Sequence, residues 1–314
     1  MADNGISRPR VAVCLAAYNG MAWIEAQVTS ILTQENVDAR IIAAVDHSTD
    51  ATEEWLRALA TRDPRVILLP TAPASGGAAQ NFFRLLREGD FAGYDYIALS
   101  DQDDIWLPDK LSRAVARLNE AHAQAYSSDV LAFWPNGRRK LIRKSQPQTI
   151  WDHIFESPGP GCTFVLAPSL IASLRAHLAS CPQDLAHISF HDWFIYAFAR
   201  IRGCPWVIDN HSYLLYRQHA SNVFGANRGC RAFQRRTWMA MQGWHLKQAR
   251  LIARAVGAEH LEFVQRTLFA GPLGCFRLAC LAGQCRRKRC DQILLALSSL
   301  LLGAKELFLR DHHA

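Results

Sequence analysis

The sequence predicts an α/β fold: a mainly parallel sheet flanked by helices, followed by a helical C-terminal extension both basic and apolar. Three observations lead there. Short apolar runs alternate with helical patterns from Val11 to Ala121, the signature of strand–helix–strand units. The composition, 50% hydrophobic and 20% charged over 314 residues, is that of a folded globular chain. Three carboxylates in "SDQDDIW" (Ser100–Trp106) directly follow the apolar run "YIAL", and parallel sheets collect their ligands at strand carboxyl ends.

The elements follow in order. "VAVCLAA" (Val11–Ala17) is apolar without alternation, as for a strand buried on both faces. Ala22–Leu32 carries Trp23, Ala26, Gln27, Ser30 and Ile31 at helical spacing. "RIIAAV" reads as a strand, Thr52–Ala60 as a helix, "RVILL" as a strand, Asn81–Arg87 as a helix and "YIAL" as a strand. Pro108–Ala121 is a helix with proline in its first turn. In the middle of the chain "VLAFW", "CTFVLA" and "SYLLYRQH" read as strands, and "HDWFIYAFARI" as a helix begun by His191 and Asp192.

The tail changes character after about Arg228, with basic runs ("RGCRAFQRR", "QCRRKRC") between apolar segments. The expected division is therefore an α/β domain over 1–228 and a helical region over 229–314. Ile293–Ala304 is strongly apolar but too short to span a bilayer. It reads either as a helix packed on the core or as one lying in a membrane interface, with Arg286–Arg289 on anionic headgroups.

The net charge of +7 permits nucleic acid, an anionic membrane or a phosphorylated substrate as partner. No nucleic-acid-binding motif accompanies the charge, so no nucleic-acid partner is expected. "MADNGISRPR" has no apolar signal core, so a cytoplasmic location is expected. Nine cysteines, an odd number without C-x-x-C, fit reduced thiols. The last four recur every fifth residue, a spacing that scatters them around a helix and does not make a metal site.

Clustered carboxylates repel one another unless a positive partner is present. If strand geometry persists, Asp101 and Asp103 share one face and Asp104 points the other way. Converging carboxylates suit Mg2+ or Mn2+, which keep positions open for phosphate oxygens. The alternative is an acidic first turn before Pro108, favoured by the helix dipole; that accounts for Asp104 and Asp109 but leaves Asp101 unexplained. Asp46 follows the second strand in "AAVDHSTDAT", where a carboxylate can accept hydrogen bonds from a base or ribose; Ser48 or Asp50 can cap the next helix.

Together "AYNG" (17–20), "VDHSTDAT" (45–52), "GGAAQNF" (76–82) and "SDQDDIWLPDKL" (100–111) resemble glycosyltransferase family 2 enzymes of the GT-A fold. With "HDWFIY" (191–196) and "YRQHASNVFG" (216–225), the likeness is to the bacterial rhamnosyltransferase subgroup and covers roughly residues 9–225. The resemblance implies that Ala17, Tyr18, Asp46 and Asp101 bind a nucleotide-sugar donor. It implies that Asp103 and His219 hold the divalent metal, and that Asp192 is the base that deprotonates the acceptor in an inverting transfer. Asp192 also reads as an ordinary helix N-cap.

The same likeness implies dTDP-rhamnose as donor and a saccharide, commonly lipid-linked, as acceptor in cell-surface polysaccharide (O-antigen or capsule-type) synthesis, with peripheral contact at the inner membrane face. In the second motif Val45 and His47 replace the usual Asp and Gly, and histidine takes a positive φ less readily than glycine. "SPGPGCTF" (157–164) reads as a turn facing the acceptor with Thr163 on a sugar; Trp106, Trp193 and Tyr216 are candidates for sugar stacking. Two alternatives stand beside the transferase: a nucleotidyltransferase of similar fold, and a non-catalytic nucleotide-sugar-binding module.

Overall fold

The computed structural model describes residues 8–180, 185–219 and 243–311. These form two compact units. The first comprises 8–145, 159–180 and 203–219; the second comprises 146–158, 185–202 and 243–311. The domain boundary expected near residue 228 lies outside the described residues.

The first unit is built on a seven-stranded sheet. Its strands are β1 (Arg10–Ala17), β2 (Asp38–Val45), β3 (Val66–Leu68), β4 (Tyr96–Ser100), β6 (Ala125–Ser128), β9 (Val165–Leu166) and β10 (Trp206–Asp209). Their order is β10-β6-β9-β4-β1-β2-β3, parallel throughout except for β9, which runs against both β4 and β6. The expected mainly parallel sheet is therefore present. Helices α1 (Ile24–Leu32), α2 (Thr52–Arg62), α3 (Ala78–Glu88) and α4 (Lys110–Glu120) match the four predicted helices to within a few residues. "CTFVLA" departs from its prediction: only Val165–Leu166 is strand, and Gly161–Thr163 coils into a 3-10 turn.

Strand β1 is buried along nearly its whole length. On one face Val11, Val13 and Leu15 pack with Ile24, Val28 and Ile31 of α1 and Leu111 and Ala114 of α4. On α3, Phe82, Leu85 and Leu86 are fully buried, each worth about 2 kcal/mol of transfer free energy. The chain winds outward through β1, β2 and β3, then returns to place β4 on the other side of β1. That reversal opens a crevice at the carboxyl ends of the strands. Register puts the end of β1 beside the ends of its neighbours, with Ala17 opposite Val45 and Leu15 opposite Ser100.

A smaller sheet, β5 (Ile105–Trp106), β11 (Leu214–Arg217), β7 (Val130–Phe133) and β8 (Arg139–Ile142), completes this unit. The antiparallel pair β5–β11 sets Leu214 against Trp106 and Leu215 against Ile105. It thereby brings the segment after Tyr213 onto the acidic motif.

The second unit is helical: α5 (Asp152–Phe155), α7 (His191–Ile201), α8 (Trp244–Ala255), α9 (Glu262–Leu268), α10 (Gly271–Cys280), α11 (Ala282–Cys285) and α12 (Arg289–Asp311). Helix α6 (Pro168–Ser180) belongs to the first unit. Over Arg289–Leu309, α12 is long and apolar enough to cross a membrane by length and composition, more than the twelve-residue run suggested. Its inward side runs Leu295, Ser299, Gly303: Leu295 and Ser299 are buried, and a Cβ on Gly303 would stand 3.1 Å from Cys275 and 3.2 Å from the Pro272 carbonyl of α10. Its outward side is apolar, with Ile293 62%, Leu301 62% and Phe308 61% exposed and Leu294, Leu297 and Leu300 beside them.

Of the Arg286–Arg289 run expected on headgroups, Arg286 and Arg287 are turned inward, while Lys288 is half-buried and Arg289 exposed. Arg287 is buried against Asp152 and Glu156, and Arg286 donates to the Phe155 carbonyl. A buried guanidinium requires carboxylate and carbonyl partners, and the α5 segment supplies them. Along the tail Cys275 and Cys285 are buried while Cys280 and Cys290 are exposed, scattered as the spacing predicts.

Candidate active site

At the end of β1 the chain turns through "YNG". Asn19 adopts a φ of 45°, a left-handed conformation that asparagine tolerates better than most residues. Its Oδ1 accepts from the Thr49 amide (2.7 Å), and its own amide donates to Ser48 Oγ (3.0 Å). The Gly20 amide donates to Thr52 Oγ1 (2.8 Å) and the Met21 amide to Asp50 Oδ2 (3.1 Å). Two short motifs far apart in sequence thus form one double loop. Asp50 also accepts from the Thr52 amide (3.0 Å) at the start of α2. His47 does not take a positive φ, so losing the usual glycine carries no backbone cost here.

Asp46 is held at the end of β2. Its amide donates to the Ala17 carbonyl (2.8 Å). Its carboxylate accepts from the His47 amide (2.9 Å), the Ser75 amide (2.8 Å) and Ser75 Oγ (2.5 Å). Burial pushes this carboxyl up, but the Ser75 and His47 donors and the Arg84 charge outweigh it and hold the group below the ordinary range. Asn81 of α3 donates to the Ala44 carbonyl (3.0 Å), fixing the strand end from beneath. Tyr18 is 56% exposed, and its backbone exchanges two 2.7 Å hydrogen bonds with the Gln102 amide. Ala17, Tyr18, Asp46 and the acidic motif therefore border one crevice. Ser75 and Gln102 escaped the sequence reading; only their positions, beside one quoted motif and within another, hinted at them.

Within "SDQDDIW" the structure separates the three acids differently from the period-two expectation. Beyond Ser100 the chain leaves the strand and bends at Gln102 and Asp103. Asp101 and Asp104 consequently come together, with ligand atoms within 4.8 Å of each other and of Cys162 Sγ. Asp104 is fully buried and accepts from the Arg217 amide (3.1 Å). It does not cap α4, whose N-cap residue is Asp109. Burial, then the Asp103 and Asp101 charges, pushes the Asp104 carboxyl well up. The same burial pulls Lys110, fully enclosed over the Trp106 ring at 3.5 Å, down to about 7. Burial and the neighbouring acids raise the Cys162 thiol as well. A thiol kept protonated among carboxyls is a poor ligand for a hard divalent ion.

Asp103 has a different partner. His219 Nε2 lies 2.7 Å from Asp103 Oδ2, although 116 residues separate the two. The imidazole stacks on Trp23 at 4.0 Å and 14°. Arg217 Nε donates to the Asp103 carbonyl (2.8 Å). Two ligand-type atoms, carboxylate oxygen and imidazole nitrogen, thus converge with their side chains only 14% and 13% exposed. The carboxylate suits Mg2+ or Mn2+, and the imidazole adds a nitrogen donor of the kind transition ions accept. Trp23 and Arg217, which fix the pair, carried no signal in the sequence beyond lying in or beside motifs.

Asp192 lies in the second unit, in the first turn of α7. It is not the N-cap, which is Phe190. Its Oδ1 accepts from the Trp193 amide (2.7 Å) and its Oδ2 from Ser157 Oγ (3.0 Å). Three sugar-contact expectations are corrected. Thr163 is buried and donates to the Pro160 carbonyl (2.8 Å). Trp193 is buried with its indole N–H on the His153 carbonyl (3.1 Å). Trp106 lies in the core under Lys110. Burial of large rings outweighed their capacity to stack.

A doubly wound sheet with acidic loops at its strand ends fits the class of nucleotide-sugar-dependent transferases. The family model for glycosyl transferase family 2 matches residues 12–174, and the chain belongs to that family. The dTDP-rhamnosyl transferase RfbG of Shigella flexneri is 39% identical over 288 residues, 91% of this chain and 99% of that protein. Two solved structures share the GT-A fold. One is S. aureus TarS 1-349 in complex with UDP-GlcNAc (TM-score 0.52, 14% identity, 96% of this chain and 92% of that one). The other is the mannosyltransferase PcManGT from Pyrobaculum calidifontis in complex with GDP-Man and Mn2+ (TM-score 0.53, 17% identity, 96% and 88%). The chain is a glycosyltransferase, and the nucleotidyltransferase alternative falls away.

Proposed function

We propose that this glycosyltransferase moves L-rhamnose from dTDP-L-rhamnose to a saccharide acceptor carried on a lipid, with inversion at the anomeric carbon, in bacterial surface-polysaccharide synthesis. The convergence of Asp103 and His219 carries the catalytic reading. The likeness to the S. flexneri protein over nearly its whole length supports the donor. Ala17, Tyr18, Asp46 and Asp101 line the nucleotide side of the donor. Asp103 and His219 would hold Mg2+ or Mn2+, which supplies neutralising charge for the leaving diphosphate. Asp192 takes the proton of the acceptor hydroxyl as its oxygen bonds to the anomeric carbon. The bond from that carbon to the diphosphate breaks, and the nucleoside diphosphate departs with the electron pair.

The outward stripe of α12 (Ile293, Leu297, Leu301, Phe308) supports docking on the cytoplasmic face of the membrane. With Arg287 internal and Arg289 the one exposed cation of that run, docking rests mainly on apolar burial and should depend only weakly on salt. Neutral and anionic vesicles at two salt concentrations test this; binding abolished by salt would refute it. The donor is tested with a panel of nucleotide sugars plus Mg2+ or Mn2+ and crude lipid acceptor, scoring nucleoside diphosphate release. Preferred turnover of dTDP-rhamnose is expected, and no turnover with any donor would overturn the reading.

A further inference from the structure

We propose that Ser157 and Arg287 are positioning residues for the Asp192 carboxylate, so that the C-terminal region sets the geometry of the base. This rests on Asp192 acting as the acceptor's base. Ser157 Oγ donates to Asp192 Oδ2 at 3.0 Å. The carbonyl of the same serine accepts from Arg287 Nη2 at 2.6 Å. Arg287 has no exposed side-chain surface and pairs with Asp152 Oδ2 at 2.9 Å and Glu156 Oε2 at 3.5 Å. Its own amide donates to Glu156 Oε1 at 2.6 Å. The Glu156–Ser157 backbone is therefore gripped on both sides by one arginine.

The helix that carries Asp192 is tied to the same point. Tyr196 and Arg200 lie one and two turns further along α7, on the same side as Asp192. The Tyr196 hydroxyl donates to Asp152 Oδ2 (2.9 Å), and Arg200 Nη1 donates to Asp152 Oδ1 (3.2 Å). Asp152 thus holds α7 by two side chains and Arg287 by a third. Two carboxylates, Asp152 and Glu156, balance two guanidiniums, Arg200 and Arg287, so the cluster is neutral as a set. Helix α12 begins two residues beyond Arg287, and Gln292 of its first turn donates to the Arg286 carbonyl (2.8 Å).

An ion-pair cluster that served stability alone would leave the kinetics of the folded enzyme unchanged. A cluster that aims a base alters turnover without altering donor binding, because small displacements of a reacting group slow proton transfer steeply. The test uses the full chain with Ser157→Ala, Ser157→Thr, Arg287→Lys and Asp192→Asn, measuring kcat, donor KM and thermal unfolding. Ser157→Ala should lower kcat about tenfold with donor KM within about twofold of wild type, and Ser157→Thr, which keeps the hydroxyl, should restore most of it. Arg287→Lys keeps the charge but loses the fork, and should lower kcat likewise. Wild-type kcat in Ser157→Ala, with Asp192→Asn inactive, would overturn the positioning role while leaving the base in place. An active Asp192→Asn would overturn both.

Discussion

The two units satisfy their carboxylates in opposite ways. In the first, acids stand at strand ends and meet mostly backbone amides and hydroxyls: Asp46 on Ser75 and His47, Asp50 on Met21 and Thr52. In the second, Asp152 and Glu156 meet Arg200 and Arg287 across segments far apart in sequence. Neutral donors satisfy an anion and leave the site short of positive charge, so it remains ready for a cation or for the polar edges of a donor. A carboxylate–guanidinium pair is already closed and serves geometry.

Substitutions probe that contrast directly. The largest effect is expected for Asp103→Ala, which removes a carboxylate from the open site. Turnover should fall on the order of a thousandfold, equivalent to about 4 kcal/mol, with little change in thermal stability. Measuring nucleoside diphosphate release with and without EDTA checks it, and activity surviving both treatments would close the metal reading.

Asp152→Ala should do the reverse. It strands Arg287 and Arg200 in a buried setting, and loss of one partner of such a network costs about 3–5 kcal/mol, read by urea unfolding. The acid limb of stability draws on both units. Despite burial, the charges of Arg287 and Arg200 and the Tyr196 hydroxyl hold the Asp152 carboxyl below its ordinary value, and Asp46 is depressed as well. A depressed carboxyl stabilises the fold above its unfolded value near 4, and that contribution is lost as pH falls through the folded value. Asp152→Asn should flatten this acid loss.

Lys110 runs the other way. Burial pulls it to about 7, so between about 7 and 10.5 the unfolded chain binds a proton that the folded chain does not. Stability should rise with pH over that window. Lys110→Met, which fills the same space over Trp106, should stabilise the chain most at pH 7 and least at pH 10, by calorimetry. The smallest effect is expected for Gly20→Ala. A Cβ there runs into the Gln102 amide, which is pinned to Tyr18 by two hydrogen bonds; the cost should be about 1–2 kcal/mol with weakened donor binding.

Much of the first unit was legible beforehand because its strands are buried on both faces and its motifs are local. Val11–Ala17 and "RIIAAV" can scarcely be anything but parallel strands, and "AYNG" and "VDHSTDAT" sit where such strands end. The acidic motif was legible as a site but misread in detail. Alternation assigns Asp101 and Asp103 to one face only while the chain stays extended, and it bends at Gln102 and Asp103. Thr163, Trp106 and Trp193 were misread because the capacity to hydrogen-bond or stack on a sugar is written in a residue type, whereas burial depends on neighbours distant in sequence.

Residue order alone established the sheet, its strand ends and the family motifs, because hydrophobic periodicity and turn chemistry act over a few residues. Tertiary structure delivered the meeting of His219 with Asp103 that the family motifs implied, and it alone decided that Asp104 turns inward and that Arg287 is buried beneath Ser157 and not offered to a membrane. Each of those outcomes depends on bringing together segments separated by about a hundred residues or more. No local pattern encodes such pairings, since a buried charge is stable only where the fold delivers its partner.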